Sequence, residues 1–255
     1  MNEELLAAEV QDFIRNNKNV DVRAVSLGKS PFPGVTAREL ATQIKGHQTA
    51  LVKFPTWART PGIYYPPTLN LEQASSERLG QYKAGLVGGG VLVDLTGGFG
   101  VDSFCFSQRV EKVHYCERDT ALAAVASHNF RRLGAGHIEV HPGASLKSLK
   151  DIASGEARID WIYLDPSRRR EGGGRVFRLE DYQPPVASLL PELFQYSRNI
   201  WLKTAPMLDL TEGGKQLGNV REVHVVGYQN EVKELLWRLQ KDWQGPGDLI
   251  AADLK

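Results

Sequence analysis

Apolar positions recur along the chain with two different periods. Between residues 4 and 16, Leu5, Leu6, Ala8, Phe13 and Ile14 return at three- and four-residue spacing, which lines them along one stripe and predicts an amphipathic helix. Thr36 to about Leu51 repeats the pattern. Thr36 with Glu39 three residues later has the sequence of a capping box, in which each side chain takes an amide that the first helical turn leaves without a partner. A third helix is predicted from Ser75 or Ser76 to about Ala84. Pro31, Pro33, Pro55, Pro61, Pro66 and Pro67 interrupt these stretches. Residues 1–84 therefore read as a helical N-terminal region with proline-rich connections.

After Gly88-Gly89-Gly90 the texture changes to short runs rich in β-branched and aromatic residues. Strands are predicted at 91–96, 112–117, 137–141, 159–164, 199–204, 222–227 and 248–253. Helices are predicted between them at 101–109, 120–133, 146–154, 186–196 and 231–241. Such alternation implies a largely parallel sheet with helices on both faces, a Rossmann-like α/β domain over residues 85–255. Ligands are then expected beyond the carboxyl ends of the strands. No internal repeat or low-complexity tract interrupts the pattern.

Composition narrows the classes. Hydrophobic residues at 42% and charged residues at 24% of 255 are those of a globular chain long enough to bury a full core. Lys plus Arg at 31 against Asp plus Glu at 30 leaves a formal charge of +1, so any contact with nucleic acid must be local. Cys105 and Cys116 have no CxxC spacing, and the six histidines read as scattered structural residues, so no metal site and no disulfide framework is expected. The acidic N-terminus and the absence of a long apolar run point to a soluble cytoplasmic protein that does not engage a membrane.

Two segments carry the chemistry. Asp94-Leu-Thr96-Gly97-Gly98-Phe-Gly100-Val-Asp102 runs from a predicted strand through a glycine turn into a helix. It is not the dinucleotide fingerprint, because Ser103 stands where the third glycine or alanine belongs. An Asp four positions before GxG can meet a ligand's ammonium, whereas it would repel a pyrophosphate. About twenty residues on, Glu117-Arg118 ends the second strand, where a carboxylate accepts hydrogen bonds from ribose hydroxyls. Ala144 and Ser145 end the third strand, where a hydroxyl and backbone amides could read an adenine edge.

The second segment, Trp161-Ile-Tyr-Leu164-Asp165-Pro166-Ser167-Arg168-Arg169-Arg170, delivers a carboxylate and then a proline at the sheet edge. Enzymes that methylate nitrogen often place (Asp/Asn/Ser)-Pro-Pro-aromatic here. In this chain Ser167 and Arg168 replace the last two positions, and an Arg plane can also stack on a base. With Arg175 and Arg178, the arginines form a candidate phosphate-binding lip around Gly172-Gly173-Gly174; a solvated charged loop is the other reading. Lys203, at the end of the fifth strand, is either a substrate contact or a solvated strand end. No Pro-Cys pair supports covalent thiolate catalysis on a pyrimidine carbon.

Six ordered segments resemble the bacterial class I methyltransferases that carry a THUMP-like C-terminal domain. They are residues 71–83, 94–103, 115–118, Asp165-Pro-Ser-Arg-Arg169, Lys203-Thr-Ala-Pro-Met-Leu-Asp209 and 230–236. The resemblance implies S-adenosylmethionine as cofactor and RNA as partner. It places Ser75 and Ser76, at a helix N-terminus, near the cofactor's methionine carboxylate. The THUMP-like module is expected to be absent, since the chain stops at Lys255. Two other readings stay open: a nicotinamide-dependent oxidoreductase, which would share Glu117, and a catalytically silent RNA-binding module, which would keep only the arginine lip.

Overall fold

The computed structural model describes residues 1–168, Leu179 and 182–255, with Arg168 described by its backbone alone. Arg169, Arg170, Arg175 and Arg178 of the expected lip lie outside the described residues. The chain packs as two compact units, one of Met1–Gly88 with Gly97–Ser145 and one of Gly89–Thr96 with Leu146–Lys255.

The first unit opens with a 3-10 turn, Glu3–Leu6, followed by α1 (Ala8–Asn16), α2 (Val22–Leu27) and α3 (Ala37–Lys53). The capping box forms: Thr36 Oγ1 accepts the Glu39 amide at 3.2 Å and the Glu39 carboxylate accepts the Thr36 amide at 2.9 Å. The Thr36 amide, first among the causes, holds the Glu39 carboxyl below its ordinary range. Leu5, Val10, Ile14, Val35, Leu40 and Ile44 form the core beneath these helices. Three short helices follow, α4 (Pro55–Arg59), α5 (Thr68–Gln73) and α6 (Glu77–Ala84).

Along the rest of the chain come β1 (Val91–Asp94), α7 (Val101–Phe106), β2 (Lys112–Glu117), α8 (Thr120–Arg132), β3 (Glu139–Pro142), α9 (Ser145–Gly155) and β4 (Trp161–Leu164). The pair β2 and β3 is parallel and belongs to the first unit, with His114 opposite Glu139 and Cys116 opposite His141. The N-terminal helices are knitted into this unit through aromatic rings. Phe54 meets Phe99 of the glycine turn at 5.5 Å, and Trp57 meets Phe104 of α7 edge-on at 4.7 Å. A Cβ on Gly80 would lie 2.9 Å from Cys105 Sγ, so glycine is what lets α6 approach α7 this closely.

The second unit continues with β5 (Ser167–Arg168), β6 (Tyr182–Gln183), α10 (Val186–Tyr196), β7 (Asn199–Thr204), α11 (Leu210–Leu217), β8 (Val220–Tyr228), β9 (Glu231–Gln240) and β10 (Asp248–Leu254). Its strands run in the order β1, β4, β7, β9, β8, β10. The first three are mutually parallel, β9 is antiparallel to both its neighbours, and β10 is parallel to β8. Crossover helices between parallel strands give the α/β class that the alternation predicted.

One element differs from the expectation. Residues 231–241 read as a helix but form β9. Glu, Lys, Leu and Arg favour helix in isolation, yet Glu234, Leu235, Leu236 and Trp237 are buried in succession between two flanking strands. Burial on both faces outweighs a propensity difference of at most about 1 kcal/mol per residue. Gln229 and Asn230, both at positive φ, make the two-residue turn that reverses the chain. Among the described residues, no helix is long and apolar enough to cross a membrane.

Candidate cofactor and acceptor site

In the first unit, the glycine turn is shaped from below by aromatic side chains. A Cβ on Gly97 would stand 2.1 Å from the Tyr115 ring, and one on Gly100, whose φ is 91°, would stand 2.6 Å from Phe130. Packing alone therefore requires glycine at these two positions. The Tyr115 hydroxyl donates to the Gly98 carbonyl at 2.6 Å. The Gly98 amide donates to Glu117 Oε2 at 2.9 Å, and the Asp119 amide donates to Oε1 at 2.8 Å. Glu117 is thus fixed at the end of β2 while half-buried. A carboxylate offers about four acceptor positions, so two remain for a vicinal diol. This acceptor chemistry fits a ribose.

The other predicted residues of this unit divide. Arg118 is exposed. Ala144 is exposed and Ser145 half-buried at the start of α9, where the Gly143 amide, bonded to the Glu117 carbonyl at 2.8 Å, fixes the turn. Ser76 is the N-cap of α6, its hydroxyl accepting the Leu79 amide at 3.3 Å. Ser75 instead faces inward. Its hydroxyl donates to Asp102 Oδ2 at 2.9 Å and accepts from Lys83 Nζ at 2.6 Å, and Lys83 reaches both Asp102 oxygens at 2.8 Å. All three residues are buried. Lys83 is the member that sequence reasoning missed, although a lysine four residues after Leu79 on the buried face of α6 was the available signal. Cys105 lies beside this cluster. Burial first and the Asp102 charge second push its thiol far above the ordinary range, which disfavours a thiolate nucleophile.

In the second unit, β1 ends in buried Asp94, whose Oδ1 accepts the Thr96 amide at 3.0 Å. Thr96 Oγ1 in turn accepts the Asp165 amide at 2.6 Å, so the ends of β1 and β4 are tied by a side chain. Asp165 is half-buried and its carboxylate meets Lys203 Nζ, from the end of β7, at 2.6 Å. The structure brings together Thr96, Asp165 and Lys203, which the sequence placed on three separate strand ends. Pro166 is buried and Ser167 is exposed in β5, which pairs antiparallel with β6. The Tyr182 hydroxyl of β6 accepts the Ala205 amide at 3.0 Å, fixing this small ribbon beside the turn after β7.

No family model matches the sequence. The chain is 30% identical over 168 residues, 66% of its length, to an uncharacterized S-adenosylmethionine-dependent methyltransferase of Mycobacterium tuberculosis, represented in strains CDC 1551 and H37Rv. That stretch is 44% of the relative, so the chain spans less than half the length of the curated relatives it matches. Among solved structures it is similar to a provisionally named methyltransferase of Porphyromonas gingivalis W83. The identity is 32%, the TM-score 0.80, and the overlap covers 94% of this chain and 59% of that one. In fold and along the matched residues, the chain is similar to S-adenosylmethionine-dependent methyltransferases of class I.

Proposed function

We propose that the chain, with residues 85–255 as its catalytic domain and 1–84 as a helical region, methylates a nitrogen of an RNA base. S-adenosylmethionine, when bound, supplies an electrophilic methyl group on a sulfonium. The residues proposed to hold it are Asp94, Thr96, Gly97, Gly98 and Gly100 of the turn, Asp102 with Ser75 and Ser76, Glu117 and Arg118 at the ribose, and Ala144 and Ser145 at the adenine. In this reading Asp165 and Pro166 orient the acceptor. Asp165 accepts a hydrogen bond from its N–H, which aims the nitrogen lone pair, and receives the proton released as the N–C bond forms. Ser167 and Arg168 flank the base, while Arg169 and Arg170 hold phosphates. Lys203 acts on substrate through Asp165.

The observation that carries this reading is Asp165 itself, a half-open carboxylate whose backbone is fixed to Thr96 and whose side chain is held by one replaceable lysine. Catalysis by such a site is mostly orientation, and orientation needs this rigidity. The test is transfer of labelled methyl from S-adenosylmethionine to an RNA pool, with calorimetric titration of S-adenosylhomocysteine alongside. Transfer by the wild type that disappears in Asp165→Ala, with cofactor affinity kept, supports the reading. Tight cofactor binding with label found only in protein or small molecules would replace RNA as the substrate.

A further inference from the structure

We propose that His114, Glu139 and His141 form a binding site for a first-row transition-metal dication of the zinc class, within the first unit and separate from the proposed methyl-transfer residues. Parallel pairing sets His114 opposite Glu139 and Cys116 opposite His141. Directly opposed residues and their i+2 neighbours share one face of a sheet, so both imidazoles and the carboxylate rise from the same side of β2 and β3. Their ligand atoms all lie within 4.8 Å of one another. His114 Nδ1 is 3.0 Å from His141 Nε2 and 3.3 Å from Glu139 Oε2.

Those two separations are what one shared ion requires. Ligand atoms each about 2.0–2.2 Å from zinc, at angles of about 90–110°, are about 2.8–3.6 Å apart. Glu139 is exposed, so its side chain can complete the third separation without disturbing the strands. Two imidazoles and one carboxylate on one side of an ion leave positions for water, and this donor set suits zinc, nickel or ferrous iron rather than calcium or magnesium. Lys112 Nζ lies 3.3 Å from Glu139 Oε1. The oxygen that faces His114 is Oε2, which keeps the lysine on the carboxylate's other side.

Burial is graded in a way that suits entry from solvent. His114 is buried, His141 half-buried and Glu139 exposed. The buried imidazole would be the anchor and the exposed carboxylate the last ligand to close. Glu139 and His141 are two residues apart in the sequence, but His114 is 27 residues from His141 and only strand pairing brings it to them.

Equilibrium dialysis of the metal-stripped full chain against zinc or cobalt(II), with atomic spectrometry of the bound metal, tests the proposal without any assay of activity. One ion per chain at micromolar concentration is expected. Affinity should fall at least about tenfold in Glu139→Gln and in His141→Ala, each the loss of one ligand, while the exposed His137→Ala keeps wild-type affinity. Glu139→Gln changes an exposed side chain, so it reports on the site even if the His141 variant folds poorly. Wild type that binds no stoichiometric metal overturns the proposal. So does Glu139→Gln that binds as tightly as wild type, or His137→Ala that loses the ion equally.

Discussion

The first unit and the second each contain a lysine paired with an aspartate at nearly the same distance, 2.8 Å for Lys83–Asp102 and 2.6 Å for Lys203–Asp165. Their surroundings differ. The side chains of the first pair are 3% and 10% exposed, those of the second 17% and 26%. In the first pair both carboxylate oxygens meet the ammonium and Ser75 adds a hydroxyl, as a buried ion pair needs if its desolvation is to be offset. In the second pair, water reaches both partners, and screening leaves such an ion pair worth little, about 0–1 kcal/mol. Burial, more than distance, separates a pair that holds the fold from a carboxylate that can change partners and therefore do chemistry.

The largest effect should come from opening the buried pair. Lys83→Met leaves Asp102 charged and without its counter-ion, and should cost about 3–5 kcal/mol of stability in urea denaturation. The double variant Lys83→Met/Asp102→Leu should recover most of that stability, because the desolvated charges leave together. A single-variant effect below about 1 kcal/mol would place Lys83–Asp102 in the same energetic class as the open pair and erase the contrast.

The open pair should show the converse. Asp165→Ala should change stability by less than about 1 kcal/mol, yet lower methyl transfer at least about 100-fold, the scale expected of a positioned proton acceptor. Single-turnover transfer and a denaturation curve on the same preparation separate the two quantities. Reduced stability with transfer intact would make Asp165 a residue of the fold rather than of the reaction.

Much of this was legible in the sequence, and what was not has identifiable causes. Strand 199–204 and helix 186–196 lie where the sequence put them, because Ile200, Trp201 and Leu202 are an apolar run buried on both faces of the sheet, while Val186, Leu190, Leu193 and Phe194 share one buried stripe of the helix. The capping box at Thr36 and Glu39 was readable because it is local. β9 was not, since burial between β7 and β8 rather than its own helical propensity decides its conformation, although the Gln229-Asn230 turn was a signal for it. The glycine turn was legible as a turn but not as packing: that Gly97 faces Tyr115 and Gly100 faces Phe130 depends on pairings 18 and 30 residues away. Ser75 shows the same limit. Its position before a helix was evident, its burial against Lys83 and Asp102 was not.

Glu117 lies between the two extremes, a half-buried carboxylate held by the amides of Gly98 and Asp119. If it also accepts the ribose hydroxyls, Glu117→Ala should weaken S-adenosylhomocysteine binding by about 1–3 kcal/mol, the cost of leaving hydroxyls without an acceptor. Glu117→Gln should weaken it less, since the amide keeps one acceptor oxygen. Calorimetric affinities unchanged in both variants would move the ribose elsewhere and leave Glu117 as a brace for the glycine turn.

The smallest effect distinguishes cations that are already paired from those proposed to meet phosphate. Lys203 is engaged with Asp165, so its positive charge is largely compensated on the spot. Lys203→Met should therefore slow transfer while leaving the salt dependence of RNA affinity unchanged. Arg169 and Arg170 are proposed to meet phosphates directly. Removing one phosphate-bound arginine should reduce the slope of log affinity against log salt by about 0.7–0.9, the value for counterion release from single- and double-stranded nucleic acid. RNA affinity across a salt series, for wild type, Lys203→Met and the double variant Arg169→Ala/Arg170→Ala, reads both cases together. A slope that falls with Lys203 and not with the arginines would reverse the assignment. It would place the phosphate on Lys203 and mean that substrate draws this lysine away from Asp165 on binding.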